Sequence, residues 1–250
     1  MIFDGLPESY WTAQVERVDG LRAKIAARGS VPTGRVVPDD ADLAIGTGRR
    51  LSLTILFLDI SAFSQRRSIT AAEQEMMLRV LNLFTTEMIR IIEDYGGNVE
   101  KNTGDGLMAY FEDDIGVGAA NSTKKAVACS LTMKATNHHL IAPVLRASGI
   151  SPIEFRISVE HGPVTIARIG APRRFNSNVA IGNAANFAAK MLSKISAGDI
   201  GLGASARSRL PKDWQEDWTV LSPVNTTWTY SGGSTPYPLY LYTGNWSRLI

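Results

Sequence analysis

The stretch Leu51-Ser52-Leu53-Thr54-Ile55-Leu56-Phe57-Leu58-Asp59-Ile60-Ser61-Ala62-Phe63-Ser64 decides the fold. Leu51 to Leu58 is apolar apart from one Ser and one Thr, the pattern of a central strand. It ends abruptly in Asp59. A second stretch, Asn98 to Phe111, holds Asn102-Thr103-Gly104-Asp105-Gly106 between two strand-like runs, Asn98 to Lys101 and Leu107 to Phe111. Glycine and aspartate at the centre of such a stretch signal a hairpin. Were the first strand and the hairpin neighbours, Asp59 and Asp105 would lie side by side at one end of a sheet.

Paired carboxylates at strand tips suit hard cations, which take oxygen ligands. Two such cations can clamp the attacking and the leaving oxygen of a phosphoryl transfer. Taken singly, each residue has a plainer reading. Asp59 can cap a helix after a strand, and Asp105 can be an ordinary Asp-Gly turn.

Working outward, Thr70 precedes Glu73 by three, a capping box. Met77, Leu81, Phe84, Met88, Ile91 and Tyr95 then form one helical stripe, read as core, closed by Gly96-Gly97. Residues 115 to 147 read as helical, with a break near Pro143. Glu154 to Glu160 alternates apolar and charged residues, a half-buried strand. His161-Gly162-Pro163 predicts a turn, and Val164 to Ile169 a returning strand. Gly182 to Lys194 has a helical pattern. Short strands are expected near 217–221, 226–230 and 238–242. Upstream, Trp11, Val15, Val18, Leu21 and Ile25 make residues 9–27 an amphipathic helix, which either pairs with a partner or packs on the domain. Residues 30–50, rich in Gly and Pro, read as a connector. The division is therefore residues 1–50 as helix and connector, and 51–250 as a catalytic domain ending in short strands. The fold class is an α/β (α+β) sandwich, a mostly antiparallel sheet with helices on one face.

Composition narrows the function. A formal net charge of +2 over 250 residues argues against a general nucleic-acid surface. No apolar run reaches the length of a membrane span. The absence of a basic leader and the single cysteine, Cys129, point to a reducing cytoplasm. Cys129 reads as a small buried residue. His138, His139 and His161 are too few and too poorly spaced for a metal cage. The Trp and Tyr residues of the tail read as closing the sheet or an interface.

The motifs resemble those of class III nucleotidyl cyclase catalytic domains. Phe57 to Ser64 is similar to that family's first metal motif, and Lys101-Asn102-Thr103-Gly104-Asp105 to its second. Gly182-Asn183-Ala184-Ala185-Asn186-Phe187-Ala188-Ala189-Lys190 resembles its transition-state helix. The resemblance covers residues 50 to about 205. It implies a ferredoxin-like βαββαβ core and a head-to-tail homodimer with two shared active sites. Two Mg²⁺ or Mn²⁺ ions would be held by Asp59, Asp105 and the Ile60 carbonyl. Backbone N–H groups from Ile60 to Phe63 would cradle the β- and γ-phosphates. Arg174, with Arg173 beside it, stands where the family binds triphosphate. Asn186 would orient the ribose, and Lys190, four residues on, stands where the family usually has an arginine. A lysine keeps the cation but not the planar fork.

Lys101 occupies the family's base-reading lysine position. Val179 falls where purine-using members carry Asp or Thr, and it offers no hydrogen bond. Among family members the chain is most similar to the pyrimidine cyclases of bacterial anti-phage (Pycsar) defence. That likeness implies a nucleoside triphosphate substrate, UTP favoured, a cyclic UMP product and an effector that senses it. Two alternatives stand beside it: an adenylate cyclase making cyclic AMP from ATP, and a catalytically dead cyclase-like domain that binds a nucleotide and regulates.

Overall fold

The strand predicted from Leu51 begins three residues earlier and is the spine of the protein. In the computed structural model, β1 (Gly48–Ile60) pairs antiparallel with β4 (Phe155–Gly170) along its whole length, from Gly48 opposite Ala167 to Ile60 opposite Phe155. On its other edge β1 pairs with β3 (Gly106–Phe111), and β3 pairs with β2 (Gly97–Asn102). The remaining strands are β5 (Asn176–Ile181), β6 (Ile200–Gly203), β7 (Thr219–Leu221) and β8 (Leu239–Tyr242). Together they make an eight-stranded sheet in the order β2-β3-β1-β4-β6-β8-β7, with β5 paired to β4 off that path. Among the described residues only the β4–β6 pairing is parallel. The structure describes residues 5–26, 48–114, 121–170, 176–224, 226–229 and 233–246.

The side chains of β1 alternate between two cores. Leu56, Leu58 and Ile60 join Val80, Phe84, Met88 and Ile91 of α2 (Ala71–Asp94) and Val127 and Leu131 of α3 (Ser122–Thr136). Leu53 and Ile55 face the opposite way, against Ala184, Ala185, Ala188 and Met191 of α5 (Asn183–Leu192). The α+β sandwich is therefore as expected, but the helices do not all share one face. The apolar residues of β1 are consecutive because both of its faces need cover.

Local signals hold where they are strongest. Thr70 and Glu73 form the capping box, with Glu73 N donating to Thr70 Oγ1 and Thr70 N to Glu73 Oε2. Cys129 is fully buried in α3. Pro143 lies at the start of α4 (Ala142–Ala147), after a π-helical turn at Asn137–Ile141. The predicted turn at His161-Gly162-Pro163 is absent. Those residues lie inside β4, which runs 16 residues because β1 supplies partners through that point. The returning strand is instead β5. Thr229 forms an isolated bridge to Pro236 rather than a strand. Of the connector expected at 30–50, residues 48–50 open β1 instead, and 30–47 lie outside the described residues, as do residue 27 of the first helix and 115–120 of the helix expected from 115. No helix of the described residues is long and apolar enough to cross a membrane.

The N-terminal helix α1 (Glu8–Ala26) packs on α2. Arg17 pairs with Glu87 (3.1 Å) and Asp94 (3.3 Å), and Tyr10 donates to Asp94 (2.9 Å). The tail is tied down through Glu160 on β4. Its Oε1 accepts from His161 N (2.8 Å) and Ala206 N (3.1 Å), and its Oε2 accepts from the Tyr237 hydroxyl (2.7 Å). Gly203 makes room for this, since a Cβ there would overlap the carboxylate.

Glu160 and its neighbour set opposing pH dependences. Burial pushes the Glu160 carboxyl from 4.5 up to about 7 despite its three donors. Burial, helped by the Arg209 guanidinium, pushes the His161 imidazole from 6.5 down to about 4. Between pH 4.5 and 7 the folded chain holds a proton on Glu160 that the unfolded chain has released, so this group loses stability as pH rises. Between pH 6.5 and 4 the unfolded chain protonates His161 while the folded one does not, so this group loses stability as pH falls. Over the shared window the slopes offset. Glu160→Gln removes one of them, and thermal melts are expected to show stability climbing with pH by up to ~1.4 kcal/mol per unit. A mutant slope as flat as that of the wild type would contradict this.

Candidate active site

The predicted pairing of the two acidic tips is present. Asp59 is the Cα partner of Gly106, and Ile60 N donates to the Asp105 carbonyl (2.8 Å). Asp59 and Asp105 are thus diagonal neighbours on adjacent strand ends, both half-buried. Gly106 permits the approach, because a Cβ there would lie 2.9 Å from the Leu58 carbonyl oxygen and from Thr103 Oγ1. The turn before it is held by Gly104 N donating to Asn102 Oδ1 (2.8 Å) and Thr103 N to the Gly106 carbonyl (2.9 Å). Gly104 itself sits at φ +95°, in the left-handed region that glycine tolerates.

Sequence reading missed a third member, Arg156. It is the partner of Asp59 across the β1–β4 ladder. Its Nε and Nη2 both reach Asp59 Oδ2, at 2.9 and 2.8 Å. Nη1 also reaches the Ile195 carbonyl (3.4 Å). The signal was present: Phe155, Ile157 and Val159 alternate inward, so Arg156 had to project from the other face of β4. Among the described residues, the bonds to the Asp59 carboxylate fall on Oδ2. Oδ1 is the atom left to face a cation.

The donor set fits a hard divalent ion: two carboxylates at one sheet end, with Ile60 following Asp59 in the chain. Among the described residues no three His, Cys, Asp or Glu side chains converge as a metal site. A cation here therefore depends on this pair, on backbone oxygen and on ligands from a substrate.

After Ile60 the chain turns sharply. Ser61 N donates to the Glu154 carbonyl (2.8 Å), Ala62 adopts φ +52°, and Phe63–Gln65 forms one 3₁₀ turn. The expected helix start is only this turn, and α2 begins at Ala71. Its peptide groups, not a macrodipole, are what the loop presents. A left-handed alanine costs about 1 kcal/mol or more relative to glycine. Phe63 packs on the α2–α3 core and anchors the loop from beneath.

Asn186 and Lys190 both project from the exposed side of α5, away from its buried alanines. The helix is pinned in three ways. Ser158 Oγ donates to the Ala188 carbonyl (2.6 Å). Phe187 stacks on Tyr237, with ring centroids 4.7 Å apart, and lies 6.0 Å from Trp228. The tail aromatics thus hold the helix that carries Asn186. Among the described residues no bond joins Asn186 or Lys190 to Asp59 or Asp105.

β2 and β5, the strands that carry Lys101 and Val179, meet at a residue that sequence reading passed over. Glu100, between Val99 and Lys101, sits where the β2–β3 register shifts. Its Oε1 accepts from Ala180 N (3.0 Å), the amide that follows Val179, and lies 3.6 Å from Lys101 Nζ. No sequence pattern announces a bulge of this kind. Arg174 lies outside the described residues.

Comparison with known proteins agrees with this geometry. Residues 47–226 match the family described as adenylate and guanylate cyclase catalytic domain. The chain belongs to that family. It is 27% identical over 152 residues to an adenylate cyclase of Anabaena cylindrica, covering 60% of this chain and 28% of that protein. It is 28% identical over 166 residues to a uridylate cyclase of Rhodovulum sp. (strain MB263), covering 64% of this chain and 65% of that protein. The chain thus spans less than two thirds of either relative. Among solved structures, the adenylyl cyclase CyaB from P. aeruginosa superposes with a TM-score of 0.65 at 26% identity, over 82% of this chain and 100% of that one.

The strain at Ala62 is testable. Ala62→Gly is expected to leave the fold intact and raise stability by up to ~1 kcal/mol in chemical denaturation. Ala62→Val, β-branched in the same backbone, is expected to lower it by more than that. The reverse order would mean that the left-handed turn is not the ground state.

Proposed function

We propose that the protein is a uridylate cyclase, converting UTP to 3′,5′-cyclic UMP and pyrophosphate on two divalent cations. The observation that carries the catalytic part is the junction of Asp59 and Asp105, fixed by the Ile60–Asp105 backbone bond, in a chain of the cyclase family. The base preference is supported by Val179, which cannot accept from adenine's amino group, and by kinship to a uridylate cyclase.

In the reaction the ribose 3′-oxygen bonds to the α-phosphorus and loses its proton. The bond from that phosphorus to the bridging oxygen breaks, and pyrophosphate leaves. Bound Mg²⁺ or Mn²⁺ would acidify the 3′-hydroxyl and offset charge on the triphosphate. Asp59, Asp105 and the Ile60 carbonyl would hold the ions, and Arg156 orients the Asp59 carboxylate by donating to Oδ2. The Ile60–Phe63 loop and Arg174 take the β- and γ-phosphates. Asn186 aligns the ribose, and Lys190 stabilises charge growing on the α-phosphate. Both sit on exposed α5 with no bond to the acidic pair, which fits a homodimer whose two sites each combine Asp59 and Asp105 of one copy with Asn186 and Lys190 of the other. Cyclic UMP would then act on a separate effector in a cytoplasmic anti-phage response.

Adenylate cyclase activity is the second reading, favoured by the similarity to the Anabaena protein and to CyaB. Purified protein incubated with Mn²⁺ and each of ATP, GTP, CTP and UTP is expected to give cyclic UMP as the main product by mass spectrometry. Cyclic AMP alone would overturn the pyrimidine assignment. Asp59→Ala and Asp105→Ala are each expected to cut turnover at least about a hundredfold with unchanged circular dichroism. A folded mutant of near-normal rate would remove the metal role.

A further inference from the structure

Glu100 is a buried carboxylate that the reaction outlined above does not use. The bulge at this position adds a residue to β2 relative to β3, and bulges re-aim side chains. Glu100 lies at this bulge, between Val99 and Lys101. The Glu100 side chain is 1% exposed, against 44% for Lys101. One of its oxygens, Oε1, is occupied by Ala180 N and lies near Lys101 Nζ. The other, Oε2, is shut from solvent and has no hydrogen-bond partner among the described residues. A buried acceptor left unpaired is destabilising, so such an atom calls for a ligand or a role.

The surroundings say which ligand. Val179, one peptide from the Ala180 amide, brings no polar group. Lys101 donates only, and an ionised carboxylate accepts only. A nucleobase edge presenting a carbonyl beside a ring N–H meets both. Uracil has that edge in O4 and N3–H.

We propose that Glu100 is the specificity-determining residue of the base pocket. Its Oε2 accepts a hydrogen bond from uracil N3–H while Lys101 donates to the adjacent carbonyl. Oε1, held by the Ala180 amide, fixes the carboxylate plane. Burial raises the Glu100 carboxyl, as expected for a group whose second oxygen awaits a donor. This assignment rests on the uridylate cyclase reading, and it supplies the hydrogen-bonding group that Val179 lacks.

The test compares UTP with N3-methyl-UTP, which lacks the proton in question, on the wild type and on Glu100→Ala. Wild-type kcat/KM is expected to fall at least about tenfold on methylation, largely through KM. Glu100→Ala is expected to use UTP at least about tenfold less well and to treat the two nucleotides alike. This is a double-mutant cycle with one arm on the ligand. Should Glu100→Ala lose its fold, the isosteric Glu100→Gln, a weaker neutral acceptor, is expected to show a reduced methylation penalty in the same assay. Equal discrimination in wild type and folded mutant, or none in the wild type, overturns the role of Glu100 while leaving cyclic UMP formation intact. A wild type that makes product from ATP alone removes the uridylate reading itself and this inference with it.

Discussion

The register of β1 against its two neighbours is the constraint from which the rest follows. Side chains on a strand alternate between faces, so a slip of one residue would exchange the two cores and turn Asp59 toward α2 and α3. The register is held on one edge by pairing with β4 along the full length of β1, and on the other by six partners in β3. Packing reinforces it. Leu56, Leu58 and Ile60 fit only the α2–α3 core, and Leu53 and Ile55 only the α5 core. Asp59 thus emerges on the α5 face, beside Gly106 and opposite Arg156.

Around that spine, each part of the candidate site is positioned by something other than itself. Arg156 fixes Asp59. The Asn102–Gly106 turn fixes Asp105. Glu160 and Tyr237 bring the tail aromatics against Phe187, and so steady the helix that carries Asn186 and Lys190. Ala62 holds a costly backbone angle where the loop must turn at once after Ile60. Among the described residues Ala62 is the one non-glycine at positive φ, and it lies at this end of the sheet; the α2–α3 side has its own buried polar groups, Glu87 paired with Arg17 and Thr132 bonded to Tyr95.

Features encoded by short-range pattern were legible in the sequence. The Thr70–Glu73 box, the α2 stripe, the hairpin at Asp105 and the α5 helix all depend on spacing within a few residues. So did the adjacency of Asp59 and Asp105, because an apolar strand and a hairpin of matching length have few ways to pair. What escaped depends on partners distant in sequence. His161-Gly162-Pro163 looks like a turn in isolation, yet β1 draws it into a continuous ladder. The placing of α5 on the second face needed the alternation of β1 to be read as two cores rather than one. Arg156 is placed by the alternation of its strand, but its pairing with Asp59 depends on the β1–β4 register. Glu100 was not readable, since a bulge is decided by how β2 meets β3 and not by the residues of β2 alone.

The central claim is that Asp59 and Asp105 jointly hold divalent ions beside a nucleoside triphosphate. The most direct measurement is the anomalous scattering of manganese in a crystal grown with a non-hydrolysable UTP analogue. The account predicts manganese peaks between the two carboxylates, within direct coordination reach of their oxygens and of phosphate oxygens. Manganese bound elsewhere, with Arg156 and solvent alone around Asp59, would contradict it.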